Sequence, residues 1–460
     1  MENLFAENLI NNLLSTGADY SEVYYENSII KTYELINGKL DNIECDTKEG
    51  IGLRIIKDDK YYYSSTNKLD EENLIRLSNE LKNEINFKNQ YKYVNLNKKR
   101  VNNPKIKIKH ADIETKDKVN ILKKIDLFAR NYSTLINQVY AFIREIDIHK
   151  KIANSDGVIT DSYETRTRLY IKIYASKNEK IFSNYEKIDY LKGYEMFDDI
   201  ILDKFVKKVC DELLESLNAV KFKGGTYPAI IGNRFGAVIF HEACGHALEA
   251  SSVSIKKSVL TGKINKKIAS SKVTLIDDGT LNDMWGSTII DDEGEYAKKN
   301  ILIENGILKN YLVDRYHEKI MNQKKNGCAR RESYLYAPTS RMSNTYLSSG
   351  NDKIEDMFKS IKYGVYIKNI DYGCVQPSTG DFNFYTKNTY IIENGKITDK
   401  IYNVSLIGNC IDILKNVEMV SDNLKLGGGY CGAESGTVFV TVGQPLIKIS
   451  NILIGGDNSE

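Results

Sequence analysis

Residues 237–250 have the sequence AVIFHEACGHALEA, which is the clearest chemical motif of the chain. Its apolar start predicts a buried helix, and His241, Glu242 and His246 follow. Two imidazoles close in sequence can chelate a zinc ion, and a neighbouring carboxylate can take a proton from a water that the metal activates. The alternative without metal binding is that two of only five histidines fall together by chance on a buried helix.

The spacing of the two histidines makes a structural demand. They are five residues apart, so an ideal α-helix would place them roughly 140° apart around its axis. Both can bind one metal only if the helix widens into a π-type turn or breaks between Ala243 and His246. Gly245 lies where such a distortion is easiest, because glycine has few conformational restraints. The sequence therefore predicts a locally distorted metal helix.

A catalytic zinc needs a third protein ligand and an open position. The candidates are His317, the acidic cluster at residues 291–293, and a cysteine. Cys431 lies in LGGGYCGAESG, where the glycines favour close backbone approach and unusual dihedrals, which predicts a loop that places one side chain. The alternative is a small buried residue beside the apolar VFVTV segment. Cys244 lies between the histidines and is expected to point away from the metal and pack.

Composition limits the class of protein. The chain has 460 residues, of which 42% are hydrophobic and 27% charged, as in a globular enzyme of two or three domains. A formal charge of +2 argues against direct binding to nucleic acid or an anionic membrane. No apolar run is long enough to span a bilayer, and the N-terminus lacks the basic region of a secretory signal. Seven scattered cysteines then favour reduced thiols in the cytoplasm.

The predicted fold class is α+β. Helix–strands–helix units recur in the first half, which predicts α/β subdomains at residues 1–96 and 105–222. Four of the five prolines lie after residue 225, with most of the paired glycines, and predict a mainly β domain at 226–460 that carries the metal helix. Asn37-Gly38 predicts a hairpin turn, and leucines at helical spacing predict a helix near residues 70–86.

Further motifs extend the pattern beyond the histidines. In order along the chain these are HEACGHALEA at 241–250, ARRESYLYAP at 329–338, RMSNTY at 341–346, QPSTGDFNF at 376–384, SLIGN at 405–409, and the tail GGGYCGAESGTVFVTVGQPLIKISNILIGG at 427–456. Together they resemble the TldD/PmbA family of metallopeptidases, and its catalytic TldD-type subunit in particular.

The resemblance implies a zinc-dependent peptidase. One zinc ion per catalytic chain would be held by His241, His246 and Cys431, and Glu242 would be the general base. The substrate would be a peptide or an unfolded polypeptide segment. The family works as a dimer, so we expect a homodimer or a heterodimer with a metal-free sister subunit.

Three other side chains are candidates for stabilising the oxyanion or contacting the substrate: His317, Tyr334 and Arg341. Each also has a structural interpretation. Arg341 can pair with a carboxylate, Tyr334 can be a half-buried strand residue, and His317 can be exposed.

Two alternative functions stay open at this point. One is a non-catalytic peptide-binding or regulatory subunit, since the family has been linked to modulation of DNA gyrase. The intact histidine and glutamate motif argues against a dead subunit. The other is a metal hydrolase that acts on a non-peptide amide, which the same water chemistry could serve.

Overall fold

The N-terminal half forms one large mixed sheet. The computed structural model describes residues 3–84, 91–402 and 404–456. The strands of this sheet are β1 (Tyr20–Ile36), β2 (Lys39–Lys57), β3 (Lys60–Thr66), β4 (Asn97–Lys98), β5 (Ile136–Asn154), β6 (Val158–Lys177) and β7 (Lys180–Tyr190). Their order is β3-β2-β1-β5-β6-β4, with β7 also paired to β6. A single sheet therefore runs through both predicted N-terminal subdomains, whose boundaries stay predictions.

The long β1–β2 hairpin depends on its turn. Asn37 and Gly38 have φ angles of 48° and 76°, the left-handed conformation that a tight two-residue hairpin turn requires. Strand β1 pairs with β2 on one side and with β5 on the other, both antiparallel. The predicted turn is confirmed, and it places β1 in the interior of the sheet.

Four helices cover this sheet: α1 (Asn3–Leu14), α2 (Glu71–Asn83), α3 (Thr115–Tyr132) and α4 (Leu202–Ser216). Helix α2 confirms the predicted periodicity, because Leu74, Leu77 and Leu81 are its buried apolar face. Asp70 caps its start by accepting a hydrogen bond from the backbone of Asn73. Helices α3 and α4 likewise bury one apolar face, in a second core.

The C-terminal half is mainly β, as predicted. Its strands are β8 (Gly225–Ile231), β9 (Leu275–Asp278), β10 (Lys299–Glu304), β11 (Ile307–Leu308), β12 (Ala329–Arg330), β13 (Thr339–Ser340), β14 (Asn344–Leu347), β15 (Tyr363–Gln376), β16 (Asp381–Glu393), β17 (Lys396–Ile401), β18 (Ser405–Asn409), β19 (Val417–Val420), β20 (Lys425–Ala433), β21 (Gly436–Gln444) and β22 (Ile447–Gly455). Its helices are α5 (Val238–Phe240), α6 (Ala250–Val253), α7 (Arg315–Met321), α8 (Ile354–Lys359) and α9 (Cys410–Lys415).

Two sheets of this half position the candidate metal helix, which covers residues 238–248. One has the order β11-β10-β9-β14-β21-β20, and the other has the order β15-β8-β22-β18-β16-β17. Strand β15 also pairs with β16, which closes the second sheet on itself. The metal helix contacts β14 of the first sheet and β15 of the second. Ile239, Phe240 and Leu248 are fully buried there in the largest core of the protein.

A buried ionic network joins the two halves. Arg54 on β2 pairs with Glu22 on β1 at 2.7 Å and with Glu293 of the C-terminal half at 2.6 Å. Glu22 also pairs with Arg331. All four side chains are almost fully buried. Within the described ranges, no helix is long and apolar enough to cross a membrane.

Candidate metal centre and active-site cleft

The histidine motif lies on a distorted helix, as its spacing predicts. The segment begins with a 3₁₀ turn and the short helix α5, and then continues as a π-helix over His241–Gly245. A π-helix rotates less per residue than an α-helix, so residues five apart come to one face. The imidazole centroids of His241 and His246 lie 5.4 Å apart. The predicted π-type widening is therefore confirmed.

Gly245 serves this helix through its size rather than its backbone freedom. Its φ and ψ angles of −61° and −51° are ordinary helical values. A Cβ atom at this position would collide with the Sδ atom of Met342, which is fully buried. A glycine is therefore needed at this position for close packing against Met342, and not for an unusual backbone conformation.

Three metal-ligating side chains converge beside this helix. Potential ligand atoms of His241, His246 and Cys431 all lie within 4.8 Å of one another. The Sγ atom of Cys431 lies 3.3 Å from Nε2 of His246. His241 and Cys431 are only 2% and 3% exposed, so bulk water has little access to their ligand atoms. One small ion fits among the three donors.

Cys431 reaches this cluster from a strand, which corrects the predicted loop. It lies in β20 and pairs with Val438 of β21. Gly427, Gly428 and Gly429 all have negative or extended φ angles, so the expected unusual dihedrals are absent from these described residues. The expected close approach is present: a Cβ on Gly428 would come 2.5 Å from the Asp189 Cβ atom. The glycines let neighbouring side chains pack directly on the strand.

The electrostatics of the cluster suit a cation. Neither ring nitrogen of His241 has a hydrogen-bond partner among the described residues, although the ring is buried. A buried imidazole with neither nitrogen satisfied calls for a further partner, such as an ion. Burial opposes ionisation of the Cys431 thiol, but the charges of His241 and His246 outweigh it and lower its pKa to about 3. Thiolate and imidazole donors together are the ligands that zinc prefers.

Two residues hold the ligands in place: Glu249, which the sequence did not assign, and Arg341, which the sequence offered as an oxyanion candidate or as a partner of a carboxylate. Glu249 accepts a hydrogen bond from Nδ1 of His246 at 2.8 Å, which leaves Nε2 of that ring for the metal. Arg341 donates to the backbone carbonyl of Cys431 at 2.5 Å and lies 3.9 Å from Glu249. The spacing of Glu249, three residues after His246 on a helix, is a signal that could have revealed it.

Glu242 faces an open cleft next to the cluster. Its carboxylate lies 3.6 Å from Nε2 of His246, and its side chain is 29% exposed. The cleft has a volume of about 250 Å³, and Glu242 and His241 line it together with Gly428, Gly429 and Tyr430 of β20. The glutamate is therefore the acidic group of the motif that both water and a substrate can reach.

The remaining sequence candidates lie elsewhere. His317 is buried in α7, where Nδ1 bonds to Asp314 at 2.8 Å. The backbone of Tyr334 bonds to Glu26 and Tyr63, and its ring packs in a small cluster with Tyr24. Arg341 is fully buried behind Cys431. None of these three side chains is among the described residues that line the cleft at Glu242.

Two other candidates also lie outside the cluster. The acidic segment at residues 291–293 joins the two halves, with Asp292 paired to Lys150 and Glu293 paired to Arg54. Cys244 is fully buried, and its sulfur lies 3.2 Å from that of Cys410 in the core. Cys244 thus packs away from the cluster, as expected.

Comparison with known proteins covers almost the whole chain. Residues 224–456 match the PmbA/TldA metallopeptidase C-terminal domain, residues 21–83 match domain 1, and residues 108–217 match the central domain. A Metalloprotease TldD homolog of Buchnera aphidicola is 32% identical over 96% of this chain and 94% of its own length. A Zinc metalloprotease TldD homolog of Saccharolobus solfataricus is 28% identical over 96% of this chain and 97% of its own.

Solved structures share the fold at lower identity. TldE from Thermococcus kodakarensis superposes with a TM-score of 0.77 at 20% identity, over 98% of this chain and 100% of its own. A Thermotoga maritima protein, described as a candidate modulator of a DNA gyrase, gives a TM-score of 0.81 at 19% identity over 98% and 99% of the two chains. With three matching domains and a relative above 30% identity over nearly its full length, the chain belongs to the PmbA/TldD family of metallopeptidases.

Proposed function

We propose that this chain is a zinc-dependent peptidase that hydrolyses peptides or unfolded polypeptide segments. One zinc ion per chain is held by His241, His246 and Cys431. The observation that carries the proposal is the convergence of these three donors, together with the buried His241 ring, whose nitrogens have no hydrogen-bond partner in the described part of the chain. The name of the Saccharolobus relative, a zinc metalloprotease, supports the same metal.

Glu242 is the general base in this proposal. When bound, zinc lowers the pKa of a water molecule and polarises a substrate carbonyl. Glu242 accepts the proton from the attacking water and then delivers it to the leaving amine. Its support is its position, because it is exposed to the cleft and adjacent to His246. Glu249 and Arg341 act as positioning residues, which fix the ring of His246 and the backbone of Cys431.

The substrate binds as an added strand on the edge of β20. Strand β20 is the last strand of its sheet. On β21, the backbone N–H of Thr441 donates to the carbonyl of Ser343, and the carbonyl of Phe439 accepts from the Arg330 side chain. Both groups therefore point away from β20. In an antiparallel ladder, their partners Gly428 and Tyr430 then direct their own backbone groups to the open edge.

Backbone pairing at this edge predicts a broad substrate range. Gly428 and Tyr430 both line the cleft with Glu242, so a paired peptide would pass directly beside the base. Main-chain hydrogen bonds supply affinity with little selection among side chains. Only an extended chain can pair in this way, so folded proteins are poor substrates.

We also propose that the chain functions in the cytoplasm as a dimer, either with itself or with a metal-free sister subunit. The likeness to TldE supports a sister chain of the same fold. Size-exclusion chromatography with light scattering tests the dimer. A monomer that stays fully active after dilution to nanomolar concentration would contradict it.

The decisive experiment combines zinc loading with Glu242→Gln. We expect the zinc-loaded wild type to digest an unfolded polypeptide and to leave its folded form intact. Glu242→Gln should keep its zinc and its fold but lose at least about 10²-fold in kcat, the lower end of general acid–base catalysis. Glu355→Gln, an exposed glutamate on α8, is the matched control and should retain activity. Near wild-type turnover by zinc-loaded Glu242→Gln would rule out this role.

A regulatory subunit without catalysis is the competing function. It predicts peptide binding with no cleavage by the zinc-loaded wild type. The same assay therefore separates the two functions, because a regulatory subunit would show no cleavage either as wild type or as Glu242→Gln.

A further inference from the structure

The cleft next to Glu242 contains a lysine, Lys187, whose ammonium group has no ion-pair partner in the described part of the chain. Lys187 on β7 lines this cleft together with His241, Glu242 and Gly429. Within the described part of the chain, its ammonium group forms no ion pair or hydrogen bond and only lies 5.1 Å from the centre of the Phe235 ring. A half-buried ammonium without a counter-charge is costly unless a ligand supplies one.

Apart from Glu242, whose carboxylate lies 3.6 Å from Nε2 of His246, the other charged groups around the cleft are already engaged. Glu186 pairs with Lys208 at 2.6 Å and with Arg234 at 3.0 Å. Asp371 accepts a hydrogen bond from the Tyr185 hydroxyl. Lys387 donates to the backbone carbonyl of Tyr185 and lies 3.5 Å from the centre of its ring. Lys187 thus differs from Lys387, which has a partner within the chain.

Gly429 lies next to this ammonium, on the face of the metal cluster. A Cβ atom on Gly429 would lie 4.0 Å from Nζ of Lys187. Alternate residues of a strand share one face, so the Gly429 position and the Cys431 side chain face the same way. Two residues of strand span about 6.6 Å. The ammonium therefore lies beyond direct contact with the oxyanion, at a distance that suits a neighbouring residue of a bound peptide.

Burial supports the same assignment. It lowers the pKa of the Lys187 ammonium, against the opposing charge of Asp189. Asp189 itself bonds to Arg168 and forms no ion pair with Lys187 among the described residues. A carboxylate delivered by a substrate would restore the lost solvation of the charge, and charged hydrogen bonds of this kind are among the stronger ones in proteins.

We propose that Lys187 forms a carboxylate-binding subsite of the cleft, so that the enzyme prefers peptides with a carboxylate about two residues from the bond that is cleaved. The proposal rests on the peptidase function proposed above. The carboxylate has two possible sources: the free C-terminus of the substrate, or an Asp or Glu side chain within it. Both present the same chemistry to Lys187.

The test measures kcat/KM on a matched peptide set with the zinc-loaded full-length protein. The reference is a short uncharged peptide with an amidated C-terminus. One arm restores the free C-terminal carboxylate. The other keeps the amide and replaces one Gln at a time by Glu, and mass spectrometry locates each cut. The first arm reports recognition of the chain end, and the second reports recognition of a side chain.

We expect a carboxylate in at least one arm to raise kcat/KM about tenfold or more over the reference, as a charged hydrogen bond does. In Lys187→Met this ratio should fall close to one, and in Lys187→Glu it should fall below one. Lys187→Arg keeps the charge and should keep the preference. Lys180→Met, at the exposed start of the same strand, is the matched control and should keep the wild-type ratio.

Each failure has a distinct signature. A wild-type ratio near one in both arms would overturn the subsite and leave the peptidase function intact. A preference that survives in Lys187→Met would do the same. No cleavage of any peptide by zinc-loaded wild type would overturn the proposed function and the subsite with it.

Discussion

Two buried polar regions of this molecule are built on opposite principles. In the network between the two halves, Arg54 pairs with Glu22 and Glu293, and Arg331 pairs with Glu22, so two positive charges face two carboxylates within the chain. In the cluster beside the metal helix, neither ring nitrogen of His241 has a hydrogen-bond partner among the residues that the structure describes. The difference teaches that burial alone does not distinguish structure from function. What distinguishes them is whether each buried side chain has at least one partner within the described part of the chain.

The largest effect is expected where the complete network is broken. Arg54→Met leaves the buried carboxylate of Glu293 without its arginine and leaves Glu22 with Arg331 alone, so it should lower the free energy of unfolding by about 3–5 kcal/mol. Urea denaturation of the zinc-loaded protein measures this loss. Arg76→Met removes an exposed arginine that pairs with Glu80 on α2, and it should cost less than about 1 kcal/mol. Equal costs for the two variants would remove the distinction between the regions.

A smaller effect is expected at Glu26, which borders the same network. Burial raises the pKa of its carboxyl to about 7, against the opposing hydrogen bond of Ser28 and charge of Lys150. The folded protein thus holds this proton more tightly than the unfolded chain. The stability that this proton contributes is therefore present at low pH and lost as the pH rises through about 7.

The comparison with Glu26→Gln isolates this contribution. Between about pH 5 and pH 8, wild type should lose roughly 2–3 kcal/mol of unfolding free energy relative to Glu26→Gln. Denaturation curves at the two pH values give the number. Glu44→Gln, exposed on β2, should follow wild type at both. A constant difference between wild type and Glu26→Gln across this range would contradict the buried, protonated carboxyl.

The smallest effect is expected at the edge of the incomplete cluster. Glu249→Gln removes the charge that orients His246, so zinc affinity should fall about 10- to 100-fold while the fold is retained. Competition with a chelator measures the affinity. Glu304→Gln, on the exposed end of β10, serves as the control. An unchanged zinc affinity in Glu249→Gln would show that His246 does not need this partner.

Short-range features of the fold were predictable from the sequence. The Asn37-Gly38 turn and the periodic leucines of α2 depend on neighbouring residues, and both are confirmed. The five-residue spacing of His241 and His246 also predicted the π-helix, because an α-helix would separate the two rings.

Features that depend on distant contacts were not predictable. The packing of Gly245 against Met342 and the hydrogen bond from Arg341 to Cys431 join residues about a hundred positions apart. The glycines before Cys431 suggested a loop, but they belong to a strand whose neighbours need their small size. Lys187 gave no signal at all in the sequence, since only the fold brings it beside Gly429.

The most direct test of the central claim is zinc K-edge X-ray absorption on protein purified without added metal. We expect one zinc per chain, with one sulfur ligand at about 2.3 Å and nitrogen or oxygen ligands at about 2.0–2.1 Å. Cys431→Ala should lose the sulfur signal, whereas Cys244→Ala, whose thiol packs in the core beside Cys410, should keep it. A wild-type spectrum without sulfur, or a sulfur signal that persists in Cys431→Ala, would contradict the assignment of His241, His246 and Cys431 as the zinc ligands.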